Sequence, residues 1–221
     1  MKVYLYPGLT LALCAVSFWL LLRDIDANGL GENTEQNKAK RLAYVFSGIM
    51  LLLTEGVAVM YLTVYEDFTV WTAVKRLALL SVMWPVALID YKTYRIPNSY
   101  IIYGLACRVL IFPFELIFSE PGVWQVLLGE VIAAAAMLLA AVLCGVLIKN
   151  SVGFGDMKLF VVMGLLLGTQ GIWSAVFLSL IVSFIAAVFL LATKRKTKKD
   201  AIPFGPALVL GTYLAAYLTG M

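Results

Sequence analysis

Apolar runs, most of them about 20 residues and long enough to cross the roughly 30 Å hydrocarbon core of a bilayer as a helix, recur along this chain from Val3 to Thr219. In lipid every backbone N–H and C=O must be satisfied within the protein, and these runs are too long for the strands of a barrel. An all-α, polytopic membrane helix bundle with about eight transmembrane segments is therefore expected. Hydrophobic residues make up 62% of the chain and charged residues 14%, against about 25% charged in soluble domains, which excludes a soluble globular fold. The spans read as Val3–Leu22, Leu42–Val64, Phe68–Ile89, Ser99–Phe118, Val123–Ile148, Met157–Gly168, Ile172–Ala192 and Ile202–Thr219. The sixth is short enough to be a tilted or re-entrant element. The run after Lys2 reads as a first span rather than a signal peptide, because no small-residue cleavage site closes it.

Charge orders the connectors. Arg23, Lys38, Lys40 and Arg41 lie in the first, Lys92 and Arg95 in the third, Lys149 and Lys158 in the fifth, and Lys194, Arg195, Lys196, Lys198 and Lys199 in the seventh. The even connectors hold Glu66, Asp67 and Glu120. Positive residues concentrate on the cytoplasmic side of membrane proteins, so the odd connectors are expected there and the net charge of +4 reads as topology rather than nucleic-acid binding. The polar stretch Arg23–Arg41 reads as a solvated connector, and the K-R-K-T-K-K tract as an anchor that meets anionic headgroups. Trp71, Trp84, Trp124 and Trp173 read as belt residues near span ends. Lys75 and Arg76 resist the scheme, because they fall within a span; they must snorkel, face the bundle interior or mark an interfacial helix. Glu55, Arg108, Glu115 and Glu130 also lie inside apolar runs, where a structural ion pair involving Arg108 is the favoured reading.

The chemistry centres on V-G-F-G-D-M-K-L, Val152 to Leu159. Gly153 and Gly155 suit a tight turn or a close backbone approach, and Asp156 is expected at the N-cap of the next helix. A second acid, Asp90, closes the third span in D-Y-K-T-Y-R-I-P-N, at the same side of the membrane. Two carboxylates within a few Å cannot both ionise cheaply; such a pair shares a proton and supplies both a base for water and an acid for a leaving amine. The chain has no His, which removes the commonest general base and metal ligand, and Cys14, Cys107 and Cys144 lie in separate spans as inert buried thiols.

The elements D-Y-K-T-Y-R-I-P-N (Asp90 to Asn98), G-F-G-D-M-K-L (Gly153 to Leu159) and I-P-F-G-P-A-L (Ile202 to Leu208) together resemble the type IV prepilin peptidases. These are Gly-x-Gly-Asp membrane aspartic proteases that include the preflagellin peptidases. The resemblance covers about Leu77 to the C-terminus, within a single membrane-embedded domain of residues 1–221. It implies that Asp90 and Asp156 are the catalytic pair, with Ile96, Pro97, Asn98, Gly153, Gly155 and Lys158 as motif neighbours. It further implies an endopeptidase that removes the short basic leader of type IV prepilin-like precursors at the cytoplasmic face of the cell membrane. Pro203, Gly205 and Pro206 interrupt the last span and leave backbone groups able to face the site. The bifunctional members carry zinc-binding Cys pairs in a large cytoplasmic loop; here the first connector has no Cys, so no metal, no cofactor and no methyl transfer are expected. Oligomeric state is left open. The alternatives are a presenilin or signal-peptide-peptidase-like intramembrane protease, to which Pro206-Ala207-Leu208 is similar, and a small transporter with Glu55, Asp90 and Glu130 as a proton or cation relay. Ile89 stands where the presenilin class has Tyr, and no inverted repeat supports a transporter.

The charge count gives a direct expectation. Single cysteines introduced in the third or seventh connector, in a background without native Cys, should react in intact cells only with membrane-permeant reagents. Labelling by an impermeant reagent would overturn the topology.

Overall fold

The computed structural model of the chain describes residues 2–27, 33–65, 69–118, 122–147, 153–194 and 202–220. They form α1 (Lys2–Ala27), α2 (Asn33–Thr63), α3 (Val70–Thr93), α4 (Asn98–Phe118), α5 (Val123–Leu147), α6 (Phe154–Ala192) and α7 (Gly205–Thr219), with no strand among them. Six of the described helices are long and apolar enough to span a membrane, and α7 is shorter. The polar stretch after Arg23 is largely helical rather than a solvated connector: α1 runs to Ala27 and α2 begins at Asn33. The segment E-Q-N-K-A-K-R is rich in good helix formers, so the helix extends beyond the apolar run. The connector residues 28–32, the acids Glu66, Asp67 and Glu120, and most of the K-R-K-T-K-K tract lie outside the described residues.

α3 is the central post. Most of its residues are buried, including the polar Lys75, Arg76, Ser81 and Asp90, so it is enclosed by protein rather than lipid. α1, α2, α4, α6 and α7 all pack against it, and Leu77, Leu79, Leu80, Val82 and Met83 have no exposed surface. Trp84 departs from the belt reading, being buried in α3 and tilted against Phe46 at 6.2 Å between ring centroids. Lys75 and Arg76 take the inward option. Lys75 pairs with Glu115 at 2.7 Å and with Glu130, while Arg108 pairs with Glu115 at 2.8 Å and with Glu130 at 2.6 Å. Arg76 donates to the Gly220 carbonyl at 2.5 Å, which ties α3 to the end of α7. The expected ion pair on Arg108 is thus a network of two cations and two anions. Cys14 and Cys107 are buried as expected, but Cys144 is exposed on the outer surface of α5.

The sixth and seventh expected spans are one element bent at Gly168, whose φ of 66° and ψ of −172° leave the helix through a region glycine takes readily. Phe160 meets Phe204 at the start of α7, while Ser179 donates to the Leu208 carbonyl at 3.1 Å and packs on Gly211. A straight helix would separate Phe160 from Ser179 by about 28 Å, whereas Phe204 and Gly211 are only about 10 Å apart along α7. The chain therefore folds back at Gly168, and its two arms are the two segments expected.

The arm contacts depend on missing side chains. A Cβ at Gly211 would collide with the Ser179 backbone, and one at Gly164 would lie 2.5 Å from Ala134 Cα, whereas one at Gly8 meets nothing within 4 Å. Gly211→Ala is accordingly expected to destabilise the protein by about 1–3 kcal/mol. Gly8→Ala should be neutral. Thermal unfolding in detergent checks both, and equal midpoints would contradict the packing described.

Candidate active site

α3 continues past its apolar run for one more turn, so Asp90 sits in the last turn rather than in a loop. The helix ends at Tyr94, in the left-handed region with φ 54°, whose N–H returns to the Asp90 carbonyl at 2.9 Å. Pro97 then prevents α3 from running on, and α4 starts at the next residue. The turn brings Ile96 and Asn98 back across the same end of the bundle.

α6 opens there too. Gly153 is its N-cap, in extended conformation with φ −72°, so Asp156 is the third residue of the helix and not the N-cap expected. Its carboxylate reaches back to accept the Gly153 N–H at 3.3 Å, half of a capping box, because glycine has no side chain to return the bond. Neither Gly153 nor Gly155 takes a positive φ; the glycines serve close approach. A Cβ at Gly155 would lie 3.0 Å from Ile96 Cβ, and one at Gly153 3.1 Å from Asp156 Oδ2. Two residues beyond Asp156, Lys158 donates to Asn98 Oδ1 at 2.9 Å, joining the start of α4 to the start of α6.

The third motif closes the arrangement. Asp90 is buried, and its Oδ2 accepts the Gly205 N–H at 2.8 Å, in the first turn of α7. Phe204 meets Phe160 of α6 at 6.2 Å. Asp156, half-buried, is close enough to Asp90 to feel its charge. Each carboxylate thus lies at the positive end of a helix, Asp90 at that of α7 and Asp156 at that of α6. Among the described residues neither has a cationic partner. Two carboxyls brought into contact share a proton and can pass it between a water and a leaving group.

All eight residues singled out in the sequence fall at this end of the bundle, and contacts join six of them, Ile96 to Gly155, Asn98 to Lys158 and Gly153 to Asp156; the seventh, Asp90, lies within electrostatic range of Asp156. The eighth, Pro97, acts on the backbone. Gly205 was foreseen only as part of an interrupted span, and its role as donor to Asp90 was not. The proline on each side of Phe204-Gly205 was the available signal, since it frees the intervening backbone from regular helix. The relay residues are scattered: Glu130 is held by Lys75 and Arg108, Glu55 accepts from Thr10, and Asp90 accepts from Gly205.

The model of the type IV leader peptidase family matches residues 77–191, just over half of the chain and including both acids. The chain belongs to that family. Among curated proteins it is similar to a prepilin leader peptidase/N-methyltransferase of Bacillus subtilis (strain 168), at 34% identity over 144 residues, covering 64% of this chain and 54% of the relative. A protein of the same name from Pseudomonas putida is 27% identical over 147 residues, covering 65% of this chain and 50% of the relative. One from Stutzerimonas stutzeri is 26% identical over 146 residues, covering 66% and 50%. The chain spans about half the length of the curated relatives it matches. No solved structure matches it significantly.

The Asp90–Gly205 contact makes its own prediction. A Cβ at Gly205 would lie 2.7 Å from Asp90 Oδ2 and 2.8 Å from its Cβ, so Gly205→Ala should destabilise the family member by about 1–3 kcal/mol. Adding Asp90→Ala should recover part of that loss, because it removes the carboxyl that collides. Unfolding midpoints for the four proteins of this cycle check it, and strict additivity would show that the two residues are not in contact.

Proposed function

We propose that this chain is a membrane aspartic endopeptidase that removes the short basic leader from type IV prepilin-like precursors, with Asp90 and Asp156 as the catalytic pair. The observation that carries the reading is that two acids from distant segments lie within electrostatic range at one end of the bundle, each accepting from a backbone N–H at a helix N-terminus and, among the described residues, neither ion-paired. Family membership supports the reaction class, and the printed names of the relatives support the substrate class.

With one proton shared, the ionised carboxylate takes a proton from a water as the water oxygen attacks the scissile carbonyl carbon. The protonated carboxyl donates to the carbonyl oxygen. The tetrahedral intermediate then breaks its C–N bond, and a proton passes to the departing amine. The short third connector and the first turn of α6 keep the pair near the bundle's edge, where a leader in water and an apolar helix in lipid are both within reach. The connectors at this end carry the Lys and Arg excess, which supports a cytoplasmic site in the cell membrane. Ile96, Pro97, Asn98, Gly153, Gly155 and Lys158 hold the two acid-bearing segments in register.

Asp90→Asn and Asp156→Asn should each lower leader cleavage by at least about a thousandfold while leaving the protein inserted, and the double variant should be no worse, because residues acting as a unit are non-additive. The wild-type pH profile should be bell-shaped, falling where both carboxyls are protonated and again where both are ionised. Purified protein, a precursor with its leader and mass analysis of the products supply the measurement. Substantial cleavage by either single variant would falsify the assignment.

A further inference from the structure

At the end of the bundle opposite Asp90, a cavity of about 290 Å³ opens between α3, α5 and the bend of α6. Liquid water occupies about 30 Å³ per molecule, so the space exceeds what a few bridging waters need. Its lining is unlike the lipid-facing surface around it: Thr72, Gln125, Thr169 and Gln170 stand near its mouth and Lys75 and Glu130 at its floor. Arg76 also contributes to the wall, so two of its three charged lining residues are cations.

Depth decides what such a cavity meets. Lys75 is five residues into α3 and Glu130 seven residues into α5, about 8 and 10 Å below the helix ends. That is the level at which headgroups give way to acyl chains in a bilayer that these helices span. Lys75 carries three N–H donors, of which Glu115 and Glu130 take two among the described residues. Lys75 lines the cavity, and the amides of Gln125 and Gln170 with the hydroxyls of Thr72 and Thr169 add donors to the same lining. Val126, Leu166 and Leu167 form an apolar side wall.

We infer that this cavity is a phospholipid site that takes an anionic phosphodiester headgroup against Lys75, with the lipid's chains leaving along the apolar wall. Phosphate oxygens accept from ammonium and amide donors in the way the lining offers, and Arg76 adds a positive charge beyond the balanced network of Lys75, Arg108, Glu115 and Glu130, which favours a net negative occupant. The ion network beneath it is thereby solvated on one side by a headgroup instead of hydrocarbon.

The test plugs the space without touching the network. A Cβ at Gly129 would meet nothing nearer than Thr169 Oγ1 at 3.6 Å, so Gly129→Ala fits and Gly129→Phe fills the cavity. Val126→Trp is a second plug for the case in which Gly129→Phe does not fold. Delipidated protein in detergent is titrated with phosphatidylglycerol, with the matching diacylglycerol and with inorganic phosphate, while native mass spectrometry counts bound lipid and thermal unfolding reads stabilisation. Wild type and Gly129→Ala should each hold one phosphatidylglycerol and melt at a higher temperature with it, and the plugged variant should lose both effects. Equal binding of diacylglycerol, equal stabilisation by inorganic phosphate, or undiminished phosphatidylglycerol binding by the plugged variant would each overturn the assignment.

Discussion

Enclosure of α3 within the bundle is the constraint on which the rest of the structure depends. A polar group buried away from water must find a partner in the protein, and a buried charge stripped of its partner typically costs about 3–5 kcal/mol. The charged and hydroxyl side chains on the enclosed part of α3 therefore act as tethers. Lys75 draws in Glu115 of α4 and Glu130 of α5, and Arg76 holds the last turn of α7 through Gly220. In the middle, Ser81 accepts from Ser17 of α1 at 2.6 Å through its carbonyl, and its hydroxyl meets Tyr103 of α4 at 3.2 Å. At the other end Asp90 holds the first turn of α7. α7 is thus gripped at both ends by one helix, which fixes where its N-terminus points.

The two ends of α3 resolve their charges differently. At one end two cations meet two anions, so each charge has partners of opposite sign. At the other, Asp90 accepts from the Gly205 N–H and Asp156 from the Gly153 N–H, and among the described residues neither has an ion-pair partner. Helix ends supply partial positive charge without a titratable group. Such an environment stabilises a carboxylate without the fixed positive charge that a lysine or arginine in the same place would supply.

Much of this was legible in the sequence. Apolar run length predicts helices because the bilayer sets that length, and the placement of Asp90 and Asp156 at one end of the bundle was readable because both close or open a run on the side with the basic connectors. What was not legible is relational. Nothing in a single chain marks Glu115 and Glu130 as the partners of Lys75, because that depends on which helix faces which. Trp84 looked like a belt residue because a position near a run's end is all that sequence offers, while its burial follows from α3 being surrounded. Asp156 was displaced by three residues from its expected N-cap, since an extended Gly153 starts the helix earlier than an acidic side chain would. Helix boundaries moved for a similar reason: lipid sets where a run is apolar, but propensity sets how far the helix continues beyond it.

The central claim is that residues 66 positions apart, 156 − 90, form one site. Proximity of the two positions tests it most directly. Asp90→Cys and Asp156→Cys are combined in a background lacking Cys14, Cys107 and Cys144, with a protease site introduced between the two positions, and the membranes are treated with a short bis-maleimide. The expected result is that the fragments remain joined after proteolysis, and that either single Cys leaves them separable. Full modification of both thiols by a monofunctional maleimide, with no joined fragments from the bifunctional one, would contradict a shared site.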